Sequence, residues 1–338
     1  MKSNNTEIIR SVIVLMLFIS IALLLAIADR AHLHLEKDCE CVQLRQNVES
    51  YVLGVTEQTS SGPYVYRILI PYIILGIQSL FSSLSMVGID FLLKVFFLIL
   101  CQLNFYYYLR SFFSGIVSLM GVIILDVLLS FTFSSILGPS VVETSDIFNL
   151  VIFIFALQAI HKNNFLQFLL LIFIGTVNRE TTWFLFPVFF LYDFKNKKKI
   201  YRTIIVFVII AVTYYGLRLL IHSDDATWFT FEKLTHNFPF LSSELTTTAF
   251  IANFHTAIFL LPFIILTAMN FKKHPEFLRT AVFITPLFIV VHYFLGSIIE
   301  TRLWLPLIIV LLPTSLNTLN LLFEEKINIR SNHQEVLY

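Results

Sequence analysis

Long apolar runs separated by short polar segments are the main pattern along the chain. Eight of the runs have close to the length that a helix needs to cross a hydrocarbon core of roughly 30 Å. In lipid, backbone N–H and C=O groups must bond within their own segment, so each run predicts a membrane-spanning helix. The predicted spans are residues 9–28, 87–109, 114–136, 146–160, 203–221, 250–270, 279–297 and 303–322. This pattern predicts an all-α fold, a polytopic transmembrane helical bundle.

Composition supports a chain that lies almost wholly in the bilayer. Hydrophobic residues make up 57% of the sequence and charged residues 13%, whereas soluble domains carry about 25% charged residues. The longest polar segments are about 30 residues, too few to fold alone. We therefore expect residues 1–338 to form a single integral membrane domain with no soluble domain. The net charge of +1 gives no field that would attract nucleic acid.

Basic residues next to the spans predict how the bundle is oriented, because short cytoplasmic loops are enriched in Lys and Arg. With these residues on the cytoplasmic side, both termini are cytoplasmic and the loops 29–63 and 222–249 lie outside. The first span ends in Ala26-Ile27-Ala28, a sequence that a signal peptidase could cut, but the length of the run favours an uncleaved anchor. The basic points are Lys2, Arg10, Arg110, Lys162, Lys195 to Lys199, Arg202, Lys272, Lys273, Arg279, Lys326 and Arg330.

Two apolar stretches do not fit a single membrane-spanning helix. Residues 164–192 have basic signals at both ends and Asn178-Arg179-Glu180 in the middle, which predicts a broken helical hairpin with a polar tip. Broken helices at membrane depth are tolerated where they line a cavity. If residues 64–84 crossed the membrane, every later basic loop would change sides. We therefore expect an interfacial or re-entrant helix there, and a hairpin would serve equally well. In total we expect about 8 to 10 membrane helices.

This topology brings several unusual polar residues to the outer side. Asp29 directly follows the first span, where partial desolvation would leave it a usable base or where it simply marks the helix end. Arg67 lies among apolar and aromatic residues, which suits a lipid phosphate or an anchoring role at the interface. Asp146 opens a span as a binding residue or as an N-cap.

The hairpin tip and the last outer turn add further candidates. Asn178, Arg179 and Glu180 lie between apolar half-helices, either as a binding site or as an ion pair that pins the hairpin. Asn178 and Thr181 could also cap the second half-helix. Glu300 and Arg302 flank Thr301 between two spans, where Arg302 would join the other arginines in an anion site.

Metal, redox and nucleotide chemistry are not indicated. Cys39, Cys41 and Cys101 match no metal or redox spacing, and neither GxGxxG nor GxxxxGK[ST] occurs. We expect no cofactor and no metal.

Together these motifs resemble bacterial membrane proteins related to the GT-C glycosyltransferase superfamily. The resemblance is carried by the acidic residue after the first span, the Tyr66-Arg67-Ile68-Leu69-Ile70-Pro71 segment, Asp146, the Asn178-Arg179-Glu180-Thr181 tip, and Glu300 to Pro306. It covers most of the chain through short motifs. This sequence departs from larger members in having no C-terminal soluble domain and no clear paired-acid motif in its first loop.

The resemblance implies an inverting, metal-independent transfer of a sugar from a polyprenyl-phosphate donor to an envelope glycan, glycolipid or protein acceptor. The reaction would take place on the non-cytoplasmic face of a bacterial inner membrane, in polysaccharide or glycan assembly. Asp29 would be the general base, and Arg67, Arg179 and Arg302 would hold the donor phosphate as charge develops on it. Asp146, Asn178, Glu180 and Glu300 would complete the binding site.

Two other functions remain open from the sequence. A transporter or flippase of a lipid-linked glycan intermediate would also use a broken hairpin with buried charges, although no inverted repeat is visible and the charges cluster on one side. A non-catalytic membrane scaffold would leave Arg179 and Glu180 unexplained.

Overall fold

The fold is known from a computed structural model, which describes residues 2–35, 41–60, 64–133, 144–192, 197–221, 247–295 and 301–335. Every regular element in these ranges is helical, which confirms the predicted all-α class. The α-helices are α1 Lys2–Leu35, α2 Cys41–Thr56, α3 Leu69–Leu80, α4 Met86–Arg110, α5 Gly115–Phe133, α6 Thr144–His161, α7 Phe165–Asn178, α8 Leu185–Leu191, α9 Lys197–Leu220, α10 Thr247–Met269, α11 Glu276–Val282, α12 Ile284–Leu295 and α13 Leu305–Glu335.

Seven segments of these helices are long and apolar enough to cross a membrane, so the chain is a multi-pass membrane protein. They coincide with seven of the eight predicted spans. The eighth predicted span, residues 250–270, lies in α10. The seven segments are Ser11–Asp29, Met86–Arg110, Gly115–Thr132, Thr144–His161, Ile200–Leu220, Glu276–Phe294 and Arg302–Phe323.

Hydrogen bonds between helices fix the direction of the chain. α4 and α6 run parallel to each other. Near the start of both helices, Thr144 Oγ1 donates a hydrogen bond to Asp90 Oδ1 at 2.5 Å. Near the end of both helices, Gln158 Nε2 donates to Asn104 Oδ1 at 2.8 Å. We call the end where these helices begin the polar end, and the opposite end the basic end. At the basic end lie Arg110, the last residue of α4, and the turn that follows α6.

α1 runs against α4, since Asp29 meets Lys94 and Phe18 meets Tyr106. The end of α1 and the start of α4 therefore lie at the same end of the bundle, the polar end. α3 lies in the segment that connects α1 to α4 and has 12 residues. Its length of about 18 Å is too short for a single helix to cross the hydrocarbon core. The location of residues 64–84 at the membrane surface stays a prediction.

Helix boundaries in the first outer segment differ from the sequence expectation. α1 continues six residues beyond Asp29 to Leu35, and α2 occupies Cys41–Thr56, so much of the expected loop 29–63 is helical. Residues 30–35 and 41–53 contain no glycine or proline, which favours the helical conformation in these two stretches. The loop 222–249 lies outside the described residues up to position 246, and α10 begins at Thr247.

Residues 164–192 form a hairpin. α7 rises from the basic end, a 3₁₀ turn covers Glu180–Phe184, and α8 returns. The return is shown by Phe189 of α8, whose ring stacks on Phe168 near the start of α7 with centroids 4.7 Å apart. Gly175 permits this close return, because a Cβ atom there would collide with the side chain of Thr182. The tip of the hairpin lies beside the start of α6.

Candidate functional site

The first turn of α6 joins three parts of the chain at the polar end. Its carboxylate, Asp146, forms ion pairs with Arg179 of the hairpin tip and with Arg302, whose Nη1 lies 3.3 Å from Oδ2. Asp146 and Arg179 are each 4% exposed. Two guanidinium groups therefore converge on one carboxylate in a buried setting, where charges interact strongly.

The hairpin tip is held against α6 by amide hydrogen bonds. Asn178 Nδ2 donates to the backbone carbonyl of Ser145 at 2.9 Å, and Asn149 Nδ2 donates to the Thr181 hydroxyl at 2.9 Å. The predicted capping role of Asn178 and Thr181 is wrong, because both side chains bond α6 and the residue before the 3₁₀ turn, Arg179, makes no side-chain cap. These bonds orient the Arg179 side chain toward Asp146.

Arg302 reaches the cluster from the 3₁₀ turn Thr301–Trp304, just before α13. Trp304 of the same turn is fully buried and packs against His292 of α12, with ring centroids 5.5 Å apart. This packing fixes the turn and thereby the Arg302 backbone. Glu300 lies outside the described residues, so its predicted role stays a prediction.

A small pocket opens at this cluster, with room for about one water molecule. Its polar lining is the charge cluster itself together with two side chains of the hairpin contact. The lining residues are Asp146, Asn149, Leu150, Arg179, Thr181, Arg302, Leu303 and Pro306. A phosphate group could enter only if these side chains moved apart or if the phosphate displaced Asp146 from one arginine.

Asp29, the candidate base, lies in a second buried ion pair. Its Oδ2 accepts a hydrogen bond from Lys94 Nζ at 2.6 Å, and Asp29 is 3% exposed. The Lys94 ammonium group occupies this oxygen, so an acceptor hydroxyl could reach it only after Lys94 moved away. Lys94 also follows Asp90 by four residues, a spacing at which opposite charges on one helix can pair. In the structure Lys94 reaches across to α1, and Asp90 accepts from Thr144.

Arg67 is buried and its guanidinium lies over the ring of Tyr64, 4.7 Å from the centroid. The adjacent residues Val65 and Tyr66 pack with Ile221, just after α9. Arg67 thus lies at the same end of the bundle as Asp146, but the described contacts place it with α9 and not in the Asp146 pocket.

Sequence reasoning missed one arginine at this end, Arg218 near the end of α9. Its guanidinium is stacked between the rings of Tyr66, at 4.3 Å, and Tyr214, at 3.6 Å. Tyr214 in turn packs edge-on against Trp183 of the hairpin tip, with centroids 4.4 Å apart. Arg218 lies inside an apolar run of the sequence, and the same feature identified Arg67 as a candidate.

The hairpin tip carries one acidic residue, Glu180. The sequence suggested an ion pair between Arg179 and Glu180, but Arg179 pairs with Asp146. Within the described part of the chain, Glu180 Oε1 is buried without a hydrogen-bond partner. Glu180 is also absent from the lining of the Asp146 pocket.

No group of three or more His, Cys, Asp or Glu side chains suited to a metal ion occurs among the described residues. Comparison of the chain with protein-family models, curated proteins and solved structures gives no match.

Proposed function

We propose that this chain is a membrane glycosyltransferase that takes a sugar from a polyprenyl-phosphate donor at the polar end of the bundle. The observation that carries the proposal is the convergence of Arg179 and Arg302 on Asp146. Arginine binds phosphate through a planar fork of N–H donors, and its charge stabilises a phosphate that leaves the sugar.

The location of this cluster supports a lipid-linked substrate. The cluster is buried between membrane helices, and the chain places basic residues such as Lys162 and Arg110 at the opposite end. By the enrichment of basic residues in cytoplasmic loops, the polar end faces away from the cytoplasm. A phosphate on a polyprenyl chain could reach the arginines from the outer leaflet while its chain stays in lipid.

In this proposal the donor phosphate competes with Asp146 for the two arginines. The acceptor is an envelope glycan, a glycolipid or a protein, and Asp29 would deprotonate its hydroxyl once Lys94 has moved away. A bacterial inner membrane with both termini in the cytoplasm remains part of the proposal.

The test is sugar transfer from glycosylated polyprenyl phosphates in membranes that contain the full chain. Arg179→Lys and Arg302→Lys keep the charge but lose the fork, and each should lower transfer at least about tenfold. Arg110→Lys at the basic end is the matched control and should transfer normally. Asp29→Asn should abolish transfer if Asp29 is the base, and full transfer by this variant would reject that role.

A flippase is the alternative that the buried, charged hairpin favours. The same membranes separate the two functions when they receive a fluorescent polyprenyl-phosphate sugar. Movement of the intact lipid between leaflets, with no sugar transferred and with dependence on Arg179, would replace the enzyme proposal by the flippase.

A further inference from the structure

The two sides of the hairpin tip make different contacts. Residues three apart in a 3₁₀ helix lie above one another, so Glu180 and Trp183 share one side of the turn Glu180–Phe184. Thr181 lies on another side, where it accepts a hydrogen bond from Asn149 and lines the Asp146 pocket. Glu180 and Trp183 therefore lie on a different side of the turn from Thr181.

Glu180 and Trp183 each carry one buried polar atom that lacks a hydrogen bond within the described part of the chain. These atoms are Oε1 of Glu180 and Nε1 of Trp183. The first is an acceptor and the second is a donor. Buried polar atoms are normally paired, so these two atoms offer hydrogen bonds to a group that binds beside the turn.

The surroundings of this side are aromatic. The Trp183 ring packs on Tyr214, and Arg218 lies over both Tyr214 and Tyr66. The turn, α9 and the segment before α3 therefore meet beside Trp183. This wall gives a ligand apolar surface as well as hydrogen bonds.

A sugar ring has the chemistry that these groups require. A hydroxyl group both donates and accepts, so it can donate to Glu180 and accept from the Trp183 N–H. A phosphate has no proton to offer a carboxylate, and its charge is repelled by one. The predicted donor-phosphate role therefore does not suit Glu180, although it suits Arg179.

We infer that Glu180 and Trp183 form a sugar-binding subsite that holds hydroxyl groups of the neutral sugar on the lipid donor. This inference rests on the proposed function. It separates two tasks at the hairpin tip: Arg179 binds the phosphate and Glu180 binds the sugar.

The experiment compares two probes on the purified full chain in nanodiscs. One is a short-chain polyprenyl phosphate, and the other is the same lipid carrying glucose, galactose, mannose or N-acetylglucosamine. The wild type should bind at least one glycosylated lipid more tightly than the bare lipid. Glu180→Gln and Trp183→Phe should each reduce that sugar-dependent gain, by about tenfold where the lost bond is charge-assisted, and should still bind the bare lipid.

Glu276→Gln, at an exposed position at the start of α11, is the control and should keep the full gain. Unchanged binding of the bare lipid shows that the variants are folded. The inference is overturned if none of the four sugars increases wild-type affinity, or if both variants keep the gain. Failure of the proposed function looks different: the bare lipid would then bind equally to the wild type and to Arg179→Lys and Arg302→Lys.

Discussion

At the scale of single residues, the polar end is built from charges that are paired across the bundle. Asp29 binds Lys94, and Asp146 binds Arg179 and Arg302. Each charge is nearly inaccessible to water, where an unpaired charge is costly and a well-bonded partner offsets part of that cost. Substitution of one member of a pair, without its partner, is therefore expected to destabilise the protein.

The pair of Asp29 and Lys94 gives a stability prediction. Asp29→Asn leaves the Lys94 ammonium buried without its carboxylate, so we expect a loss of about 3 to 5 kcal/mol. Lys94→Met should cost a similar amount, because it leaves the carboxylate alone. The double variant Asp29→Asn/Lys94→Met buries no charge and should recover most of the loss. Thermal unfolding of the purified variants in detergent measures this.

A double variant that is as unstable as the two single losses combined would show that the two residues act independently. The same series separates stability from catalysis. If Asp29 serves only the ion pair, the double variant regains transfer together with stability, and if Asp29 is the base, it regains stability alone.

At the scale of elements, the hairpin depends on close packing at its tip. Gly175 lies against Thr182, where an added Cβ would collide with the threonine side chain. Thr182 also donates to the backbone carbonyl of Arg179 at 3.0 Å. The spacing of α7 and the returning turn therefore fixes where Arg179 points.

We predict that Gly175→Ala pushes the tip away from α7 and weakens the contact of Arg179 with Asp146. Overpacking of this kind costs typically about 1 to 3 kcal/mol, and lipid-phosphate binding should weaken with it. The double variant Gly175→Ala/Thr182→Ser lacks the threonine methyl group with which the added Cβ collides. It should regain part of the stability and part of the lipid-phosphate binding. Unfolding and polyprenyl-phosphate binding are the two measurements.

Gly76→Ala in α3 is the matched control, since a Cβ at Gly76 meets nothing within 4 Å. Alanine has the higher helix propensity, so this variant should be neutral or slightly more stable. Equal losses for Gly76→Ala and Gly175→Ala would contradict the packing argument.

At the scale of the whole molecule, the helix directions separate two chemically different ends. The polar end holds Asp146 and the hairpin tip, and the basic end holds Arg110 and Lys162. Phe277 of α11 packs against both Phe112 and His161, which brings the Lys272–Arg279 region to the basic end as well. By the rule that short cytoplasmic loops are enriched in basic residues, we expect the basic end to face the cytoplasm.

This arrangement predicts which side of the membrane each end faces. In a chain with Cys39 and Cys41 replaced by Ser, Lys162→Cys and Ser82→Cys each introduce a thiol at an exposed position. A membrane-impermeant maleimide should label Ser82→Cys in intact spheroplasts and Lys162→Cys only in inside-out vesicles. Labelling of both from one side would reject the topology and, with it, the outward location of the candidate site.

The sequence by itself determined the helical class and the positions of the spans. Apolar runs of membrane length leave few alternatives, because lipid forces backbone groups to bond within the segment. It also indicated a break at Asn178 to Glu180, since charges in an apolar run are costly. The spans and the break depend on neighbouring residues in the sequence, so the local pattern of hydropathy is enough to predict them.

Partners of the charged residues were decided only by the tertiary structure. Asp29 and Lys94 are 65 residues apart, and Asp146 and Arg302 are 156 apart. No local pattern encodes such a pairing, because it depends on which helices lie side by side and in which rotation. The hairpin tip shows the same dependence: Arg179 pairs with Asp146 of α6 and Trp183 packs on Tyr214 of α9, and only the packing of these helices decides those partners.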